Sequence, residues 1–271
     1  MTAIRLIGLP TDINSSFERG AAQAPAAIRA ALWSDRGNLA CENGLEIGRD
    51  IEVRDDGDLP LTEHTPSDDI LVETAVRIAL EAGEPPVLLG GDHAVTVPIL
   101  KAVAAHQGPV DILHFDAHPD TYHDFEGNPR SHASPFARIM EAGLARRLVQ
   151  VGIRTLTRHC RNQATRFGIE TIEMRDFVAE RVPVLDGHTY ISLDLDALDP
   201  AFAPGVAHPE PGGLTVRDIL ACIERVTGPI VGADIVELNP ARDVGGVTAI
   251  VAAKFVREIA SAIHRTNRRE A

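Results

Sequence analysis

The stretch from Val110 to Asp120, VDILHFDAHPD, constrains this chain most. It is an apolar, β-branched run that ends in two carboxylates and an imidazole. Val110 to Phe115 has the character of a buried parallel strand. Asp116, His118 and Asp120 fall at i, i+2 and i+4, so an extended backbone would throw all three side chains to one side. Pro119 would help stop the strand there. In open α/β sheets the carboxyl ends of the strands are where ligands bind. Two aspartates and a histidine converging at such an end would repel and desolvate one another unless a cation sat between them, and a divalent metal meets that need. Taken alone, the pentapeptide also suits a turn capped by Asp116, with His118 an ordinary loop histidine.

Two further runs repeat the pattern. Val87 to Leu89 leads through two glycines, which give a close backbone turn, to Asp92 and His93. In isolation His93 reads more readily as a helix-start histidine. Thr189 to Pro200, TYISLDLDALDP, runs into Asp194, Asp196 and Asp199. So many carboxylates at the end of an apolar strand are hard to explain structurally, because each buried unpaired one is costly. Ile230 to Val236 is a last buried strand, with Glu237 at its end.

Between these runs, strands and helices alternate. Ile4 to Leu9 reads as a first strand, and TDINSSFERG as a loop forming a lid or rim. Pro25 opens a helix over PAAIRAALW. Asp50 to Glu63 is charged and reads as irregular surface. Ser67 or Asp68 caps a helix to about Ala82, and further helices are predicted over about Ala94–Ala105, Ser134–Glu141, Thr157–Phe167, Thr215–Val226 and Val247–His264. Leu148–Gly152 and Ile169–Ile172 read as strands. The chain, 271 residues long, suits one large α/β domain or two small ones.

The net charge of −13 argues against a nucleic-acid surface and favours approach by cationic small molecules. Only three cysteines occur, Cys41, Cys160 and Cys222, so neither a disulfide framework nor a CxxC zinc site is suggested, and a reducing cytosol is the natural setting. The amino terminus lacks a basic stretch followed by a long apolar segment, and no apolar run approaches the roughly 18 residues of a membrane span. A soluble, untargeted, cytoplasmic protein that binds neither membrane nor nucleic acid is expected. The basic carboxyl-terminal HRTNRRE reads as a helix end that favours cations.

Collected, the strand ends supply His93, Asp116, His118, Asp120, Asp194 and Asp196: imidazoles and carboxylates with no thiolate. Hard oxygen ligands with some nitrogen favour Mn²⁺ or a similar octahedral ion. They are too many for one catalytic metal with an open position, and two ions about 3.5–4 Å apart would use them all. Water shared by such ions is hydroxide near neutral pH, so metal-assisted hydrolysis is the reaction class. His132, at the end of the loop after Asp120, suits proton transfer.

GGDH at Gly90 to His93, DAHPD at Asp116 to Asp120 and SLDLDALDP at Ser192 to Pro200 resemble the three metal-binding motifs of the arginase/agmatinase (ureohydrolase) family. The similarity runs from SSFERGAAQAPAAIR through YHDFEGNPRSHASPFARIMEAG to VGADIVELNPARD. The middle part is especially similar to plant-type arginases, and APGVAHPEPGGLT also resembles agmatinases.

The resemblance implies a single α/β domain over residues 1–271, three layers α/β/α around a central, mostly parallel sheet. It also implies two manganese ions per chain and a homotrimer or homohexamer. One manganese would be held by His93, Asp116, Asp120 and Asp194, and the other by Asp116, His118, Asp194 and Asp196. The implied reaction is attack of a bridging hydroxide on a guanidinium carbon, giving urea and an amine. Asp120 matches the carboxylate that relays the hydroxide's proton, His132 the proton shuttle, and Glu237 the acid that pairs with the guanidinium. Those roles agree with the chemistry: a planar cation needs a bidentate carboxylate and a departing amine needs a proton donor.

Animal arginases read the amino acid's head group with an asparagine and an aspartate at positions that here are Tyr122 and Thr157. Asn128, Arg130, Thr155 and Thr157 are the candidates for the substrate tail, with Arg130 either pairing an α-carboxylate or simply solvated. Arginine and agmatine both fit, with a lean to arginine. Guanidino-acid and formimino hydrolases of the same family are the alternatives, and a metal-binding assembly protein without turnover is disfavoured because no ligand, His132 or Glu237 is lost.

Overall fold

The computed structural model describes residues 2–267, so the last residues of the basic tail, 268–271, lie outside it. The chain runs β1 (Thr2–Gly8), α1 (Ala24–Leu32), β2 (Ile51–Asp58), α2 (Thr65–Glu81), β3 (Pro86–Leu89), α3 (Thr96–Gln107), β4 (Val110–Phe115), α4 (Pro135–Glu141), β5 (Ala145–Ile153), α5 (Arg158–Phe167), β6 (Glu170–Glu173), β7 (Thr189–Asp194), α6 (Val216–Ile223), β8 (Ile230–Val236) and α7 (Val247–Asn267). The eight strands form one sheet in the order β2-β1-β3-β8-β7-β4-β5-β6, and all its pairings are parallel.

Both faces of the sheet are covered, which is what parallel strands with helical crossovers require. Ile28 of α1, Ile219 of α6 and Phe255 and Ile259 of α7 pack with Leu113, Phe115 and Ile191 on one face. Val76 of α2, Ile99 and Val103 of α3 and Phe136 of α4 pack with Ile112, Leu88 and Tyr190 on the other. Neighbouring residues of one strand, such as Ile112 and Leu113, thus serve opposite cores. The result is the expected three-layer α/β/α arrangement. No helix among the described residues is long and apolar enough to cross a membrane.

Two expectations need correction. Asp50 to Glu63 is not irregular: it contains β2, the outermost strand beside β1. An edge strand is hydrogen-bonded on one side only, so charges there reach solvent and partners. Both Asp55 oxygens lie 2.9 Å from Arg29 Nε, and Asp56 pairs with Arg5 at 3.0 Å. The following helix begins at Thr65, ahead of Ser67 and Asp68, with Pro66 in its first turn. Asp68 faces back instead and accepts the Thr62 N–H at 3.1 Å.

The strand order decides where the site lies. β3, β8, β7 and β4 are contiguous in mid-sheet, and their carboxyl ends carry GGDH, Glu237, Asp194–Asp196 and DAHPD. The glycines after β3 are there for close approach: a Cβ on Gly91 would stand 1.6 Å from the Thr11 carbonyl oxygen, and one on Gly90 2.5 Å from Val236 Cγ1.

Candidate metal centre

The acids converge by turning, not by strand alternation. β4 ends at Phe115, earlier than Pro119. Asp116 Oδ1 then accepts the His118 N–H at 2.5 Å, an Asx turn of the kind the bland reading of the pentapeptide anticipates. Asp120 sits in the left-handed region at φ 48°. After β7 the same turn recurs: Asp194 Oδ1 accepts the Asp196 N–H at 2.8 Å, and Asp196 Oδ1 ties the loops together by accepting the Ala117 N–H at 3.0 Å. Glu237, directly after β8, is also left-handed at φ 66°. Non-glycine residues held there cost free energy that the surrounding structure must offset, and such positions cluster at functional sites. Asp199 stays outside the cluster and folds its own loop, accepting the N–H groups of Ala201 and Gly212.

Two ligand clusters result. His93 Nδ1 lies 3.3 Å from Asp116 Oδ2, 3.2 Å from Asp120 Oδ2 and 3.2 Å from Asp194 Oδ2. His118 Nδ1 lies 3.3 Å from Asp116 Oδ1 and 3.0 Å from Asp196 Oδ2. Asp116 therefore presents one oxygen to each cluster. Burial pushes Asp194 well above the usual carboxylate range, aided by the charges of Asp196 and Asp116, and it pushes Asp120 up to about 6, aided by Asp116.

The donor set fits hard divalent cations. His93 Nδ1 is buried and has no hydrogen-bond partner. A proton there would satisfy one of the three oxygens at a time, whereas a cation takes the ring's lone pair and all three oxygens together. The other ring nitrogen fixes this tautomer. Nε2 lies 3.0 Å from Ser192 Oγ, which donates to Asp234 Oδ1 at 2.7 Å, and Asp234 Oδ2 accepts the hydroxyls of Thr96 and Tyr190, both at 2.9 Å. The carboxylate thus orients the serine, and the serine takes the Nε2 proton.

His114, inside β4, also approaches Asp116 Oδ2, at 3.0 Å, but in a different role. Gln150 donates from Nε2 to the Pro119 carbonyl at 2.6 Å and to His114 Nδ1 at 3.0 Å. His114 must then carry its proton on Nε2 and donate it to Asp116. Burial pushes this ring down to about 4, so it stays neutral and orients the acid.

Beside the clusters opens a cavity of about 200 Å³. Glu237 and His132 line it, joined by a 2.8 Å contact between Oε1 and Nδ1, and the same Oε1 accepts the His93 N–H at 2.8 Å. Burial opposes charge on both groups, yet their pairing outweighs it: Glu237 is held below the usual carboxylate range and His132 is pushed up to about 9. Thr155 and Thr157 line the outer wall with Tyr122, Phe125, Ser16 and His208.

Asn128 and Arg130 are not brought to this cavity. Asn128 Oδ1 accepts the Arg130 N–H at 2.9 Å, and the Arg130 guanidinium holds both oxygens of Asp69 on α2 at 2.8 Å. The loop turns Arg130 outward, into a separate cavity with Lys101 and Arg138. Sequence reasoning missed Ser16, Phe125, His208, His114, Ser192 and Asp234. Of these only Ser192 sits within one of the three metal-binding motifs, and no spacing marks it.

The arginase family model matches residues 2–261. The chain belongs to the arginase family. Among curated proteins it is 49% identical to the mitochondrial arginase 1 of Arabidopsis thaliana, over 96% of this chain and 81% of that one. It is 36% identical to the guanidinopropionase of Pseudomonas aeruginosa, over 94% and 85% of the two chains. Among solved structures, the arginase from Medicago truncatula superposes with a TM-score of 0.91 at 45% identity, covering 97% of this chain and 87% of that one. Family membership makes this a hydrolase of a metal-dependent fold, and it agrees with the sheet and the acid clusters described above.

Proposed function

We propose that this arginase-family hydrolase cleaves a linear guanidino compound, L-arginine before others, to urea and an amine. The centre would hold two manganese ions through His93, Asp116, His118, Asp120, Asp194 and Asp196. The observation that carries the reading is the unpartnered Nδ1 of His93 among three carboxylate oxygens, next to a cavity lined by a Glu237–His132 pair.

Bound there, the ions supply a water of lowered pKa and neutralise the crowded acids. Asp120, which lines the cavity with Oδ2 3.2 Å from His93 Nδ1, is placed to take the proton that the water gives up. Glu237 spends Oε1 on His93 N–H and His132, which leaves Oε2 alone for a guanidinium, a single charged contact in place of the bidentate pair expected from the sequence. His132 holds the proton that the departing amine needs. For the substrate tail, Thr157 caps the amino end of α5 and accepts the Cys160 N–H at 3.3 Å. The Thr155 hydroxyl donates to the Ala117 carbonyl at 3.0 Å, so the positive end of that helix dipole with the Thr157 hydroxyl is what favours an α-carboxylate, which arginine carries and agmatine lacks. The higher identity to the Arabidopsis arginase than to the guanidinopropionase supports the same choice.

Urea release by manganese-loaded protein tests the reading, with L-arginine, agmatine and 3-guanidinopropionate compared side by side. Arginine should give the highest kcat/KM. Preference for agmatine would refute the role of the α5 terminus, and urea from none of the three would refute the assignment.

A further inference from the structure

Under the reaction just proposed His132 protonates the departing amine, yet both its ring nitrogens are already engaged. Nδ1 faces Glu237 Oε1 at 2.8 Å. Nε2 faces Ser16, 2.8 Å from Oγ and 3.1 Å from the backbone N. A carboxylate only accepts, so the Nδ1 proton belongs to the bond with Glu237. The Ser16 N–H only donates, so it asks for a lone pair on Nε2, while the charge of Glu237 favours a second proton on the ring. These opposed demands make Nε2 the nitrogen at which a proton comes and goes, and the group that meets it is the Ser16 hydroxyl.

Ser16 is exposed and lines the cavity with Asp120, His132 and Glu237. Its loop is held in place on either side. The His132 N–H donates to the Asn14 carbonyl at 3.1 Å, and the Asn14 N–H donates to Asp92 Oδ2 at 2.8 Å. Further along, the Gly20 N–H and the Arg19 Nε each reach Asp12 at 2.6 Å. The serine is therefore set against the imidazole by bonds that do not involve its own side chain.

We propose that Ser16 Oγ is the last link of a Glu237–His132–Ser16 relay that delivers the proton to the departing amine. As the C–N bond breaks, its electron pair stays on nitrogen and takes the Oγ proton. Oγ takes the Nε2 proton in turn. His132 ends neutral, with Nδ1–H on Glu237 and an Nε2 lone pair that accepts the Ser16 N–H, and solvent restores the second proton. No bond to Ser16 carbon or oxygen is made to substrate. The acid–imidazole–hydroxyl order matches that of serine hydrolases, but there the nucleophile's own N–H helps hold the oxyanion, whereas here that N–H is turned onto the imidazole.

The inference rests on the hydrolase reading, and the test separates the two. Wild-type, Ser16→Ala and Ser16→Thr proteins, loaded with manganese, are assayed on L-arginine and on its isothiourea analogue, in which sulfur replaces the leaving nitrogen. A thiol leaves without prior protonation, because its pKa is about 8.5. Ser16→Ala should lower kcat on arginine by about 10–100-fold with KM changed by less than about 3-fold, and lower kcat on the isothiourea by less than about 3-fold. Ser16→Thr, which keeps the hydroxyl, should recover most of the loss. Equal losses on both substrates, a loss confined to KM, or no loss on arginine would overturn the relay. Absence of urea from the wild type would instead overturn the hydrolase reading. Ring ¹⁵N NMR of His132 gives a check free of turnover: Ser16→Ala should move the Nε2 resonance and leave Nδ1 in place, and a spectrum unchanged at Nε2 would refute the contact.

Discussion

Ser192→Ala removes one hydroxyl, far from solvent, and should weaken both the fold and the metal centre. Ser192 Oγ accepts from His93 Nε2 at 3.0 Å and donates to Asp234 Oδ1 at 2.7 Å, and all three residues are buried. Without it His93 Nε2–H has no acceptor, and Asp234 Oδ1 loses its donor while Oδ2 keeps Thr96 and Tyr190. Each orphaned buried group costs about 1–3 kcal/mol, so the substitution should cost roughly 2–6 kcal/mol. At about 2–4 °C per kcal/mol for a chain of this size, Tm should fall by roughly 4–24 °C, less if a water occupies the space of the lost hydroxyl. The ring also loses the group that fixes its tautomer, so manganese affinity should fall about 10–100-fold. Calorimetric melting of apo and loaded protein, with isothermal titration of manganese, measures both effects. Unchanged affinity with a lowered Tm would show that packing against Phe136, whose ring centroid is 5.3 Å away, orients His93 without the serine. No change in either would refute the chain of hydrogen bonds altogether.

Three further outcomes follow from the site. Burial and the charge of Asp116 raise Asp120 to about 6, and Asp194 and Asp196 are raised as well, so protons compete with cations for these oxygens as pH falls. Manganese retained after desalting should be full at pH 8 and drop through about pH 6, and constant retention to pH 5 would contradict the crowding of the acids. Glu237→Gln keeps an acceptor for His93 N–H but removes the charge facing the guanidinium. It should lower kcat/KM by roughly 30–1000-fold, about 2–4 kcal/mol, at unchanged metal content, and a loss under about 3-fold would remove Glu237 from substrate binding. Arg154 donates to the carbonyls of Asp196 at 2.7 Å, Glu210 and Gly152 at 3.0 Å, and Ala197 and Leu198 at 3.2 Å. Arg154→Ala should destabilise the protein by roughly 2–5 kcal/mol and expose residues 199–213 to limited proteolysis, and an unchanged digestion pattern would show that the loop holds itself.

Most of the strands were legible because parallel strands covered on both faces are apolar throughout. β4 and β8 fall where their runs of β-branched and apolar residues place them. β2 was not legible, since an edge strand needs only one bonded side and its sequence, IEVRDDGD, satisfies the other with charge. The metal ligands were legible as residues but not as geometry. The i, i+2 spacing of Asp116 and His118, and of Asp194 and Asp196, works through an Asx turn in which the first aspartate bonds the second residue's N–H. The tail contacts were the weakest inference, because a loop's direction depends on what it packs against. Asp69, on a helix remote in sequence, draws Arg130 away from the cavity.

The sequence by itself determined which side chains can bind hard cations and that they stand at strand ends, because ligand chemistry and strand periodicity are local properties. Only the tertiary structure decided that β3, β8, β7 and β4 lie side by side, so that His93 meets acids from two other strands. It alone paired Ser16 with His132, 116 residues apart, and Ser192 with Asp234, 42 apart. Such partners leave no spacing in the chain: each is an ordinary serine or aspartate until packing excludes water and makes an unpaired polar group costly.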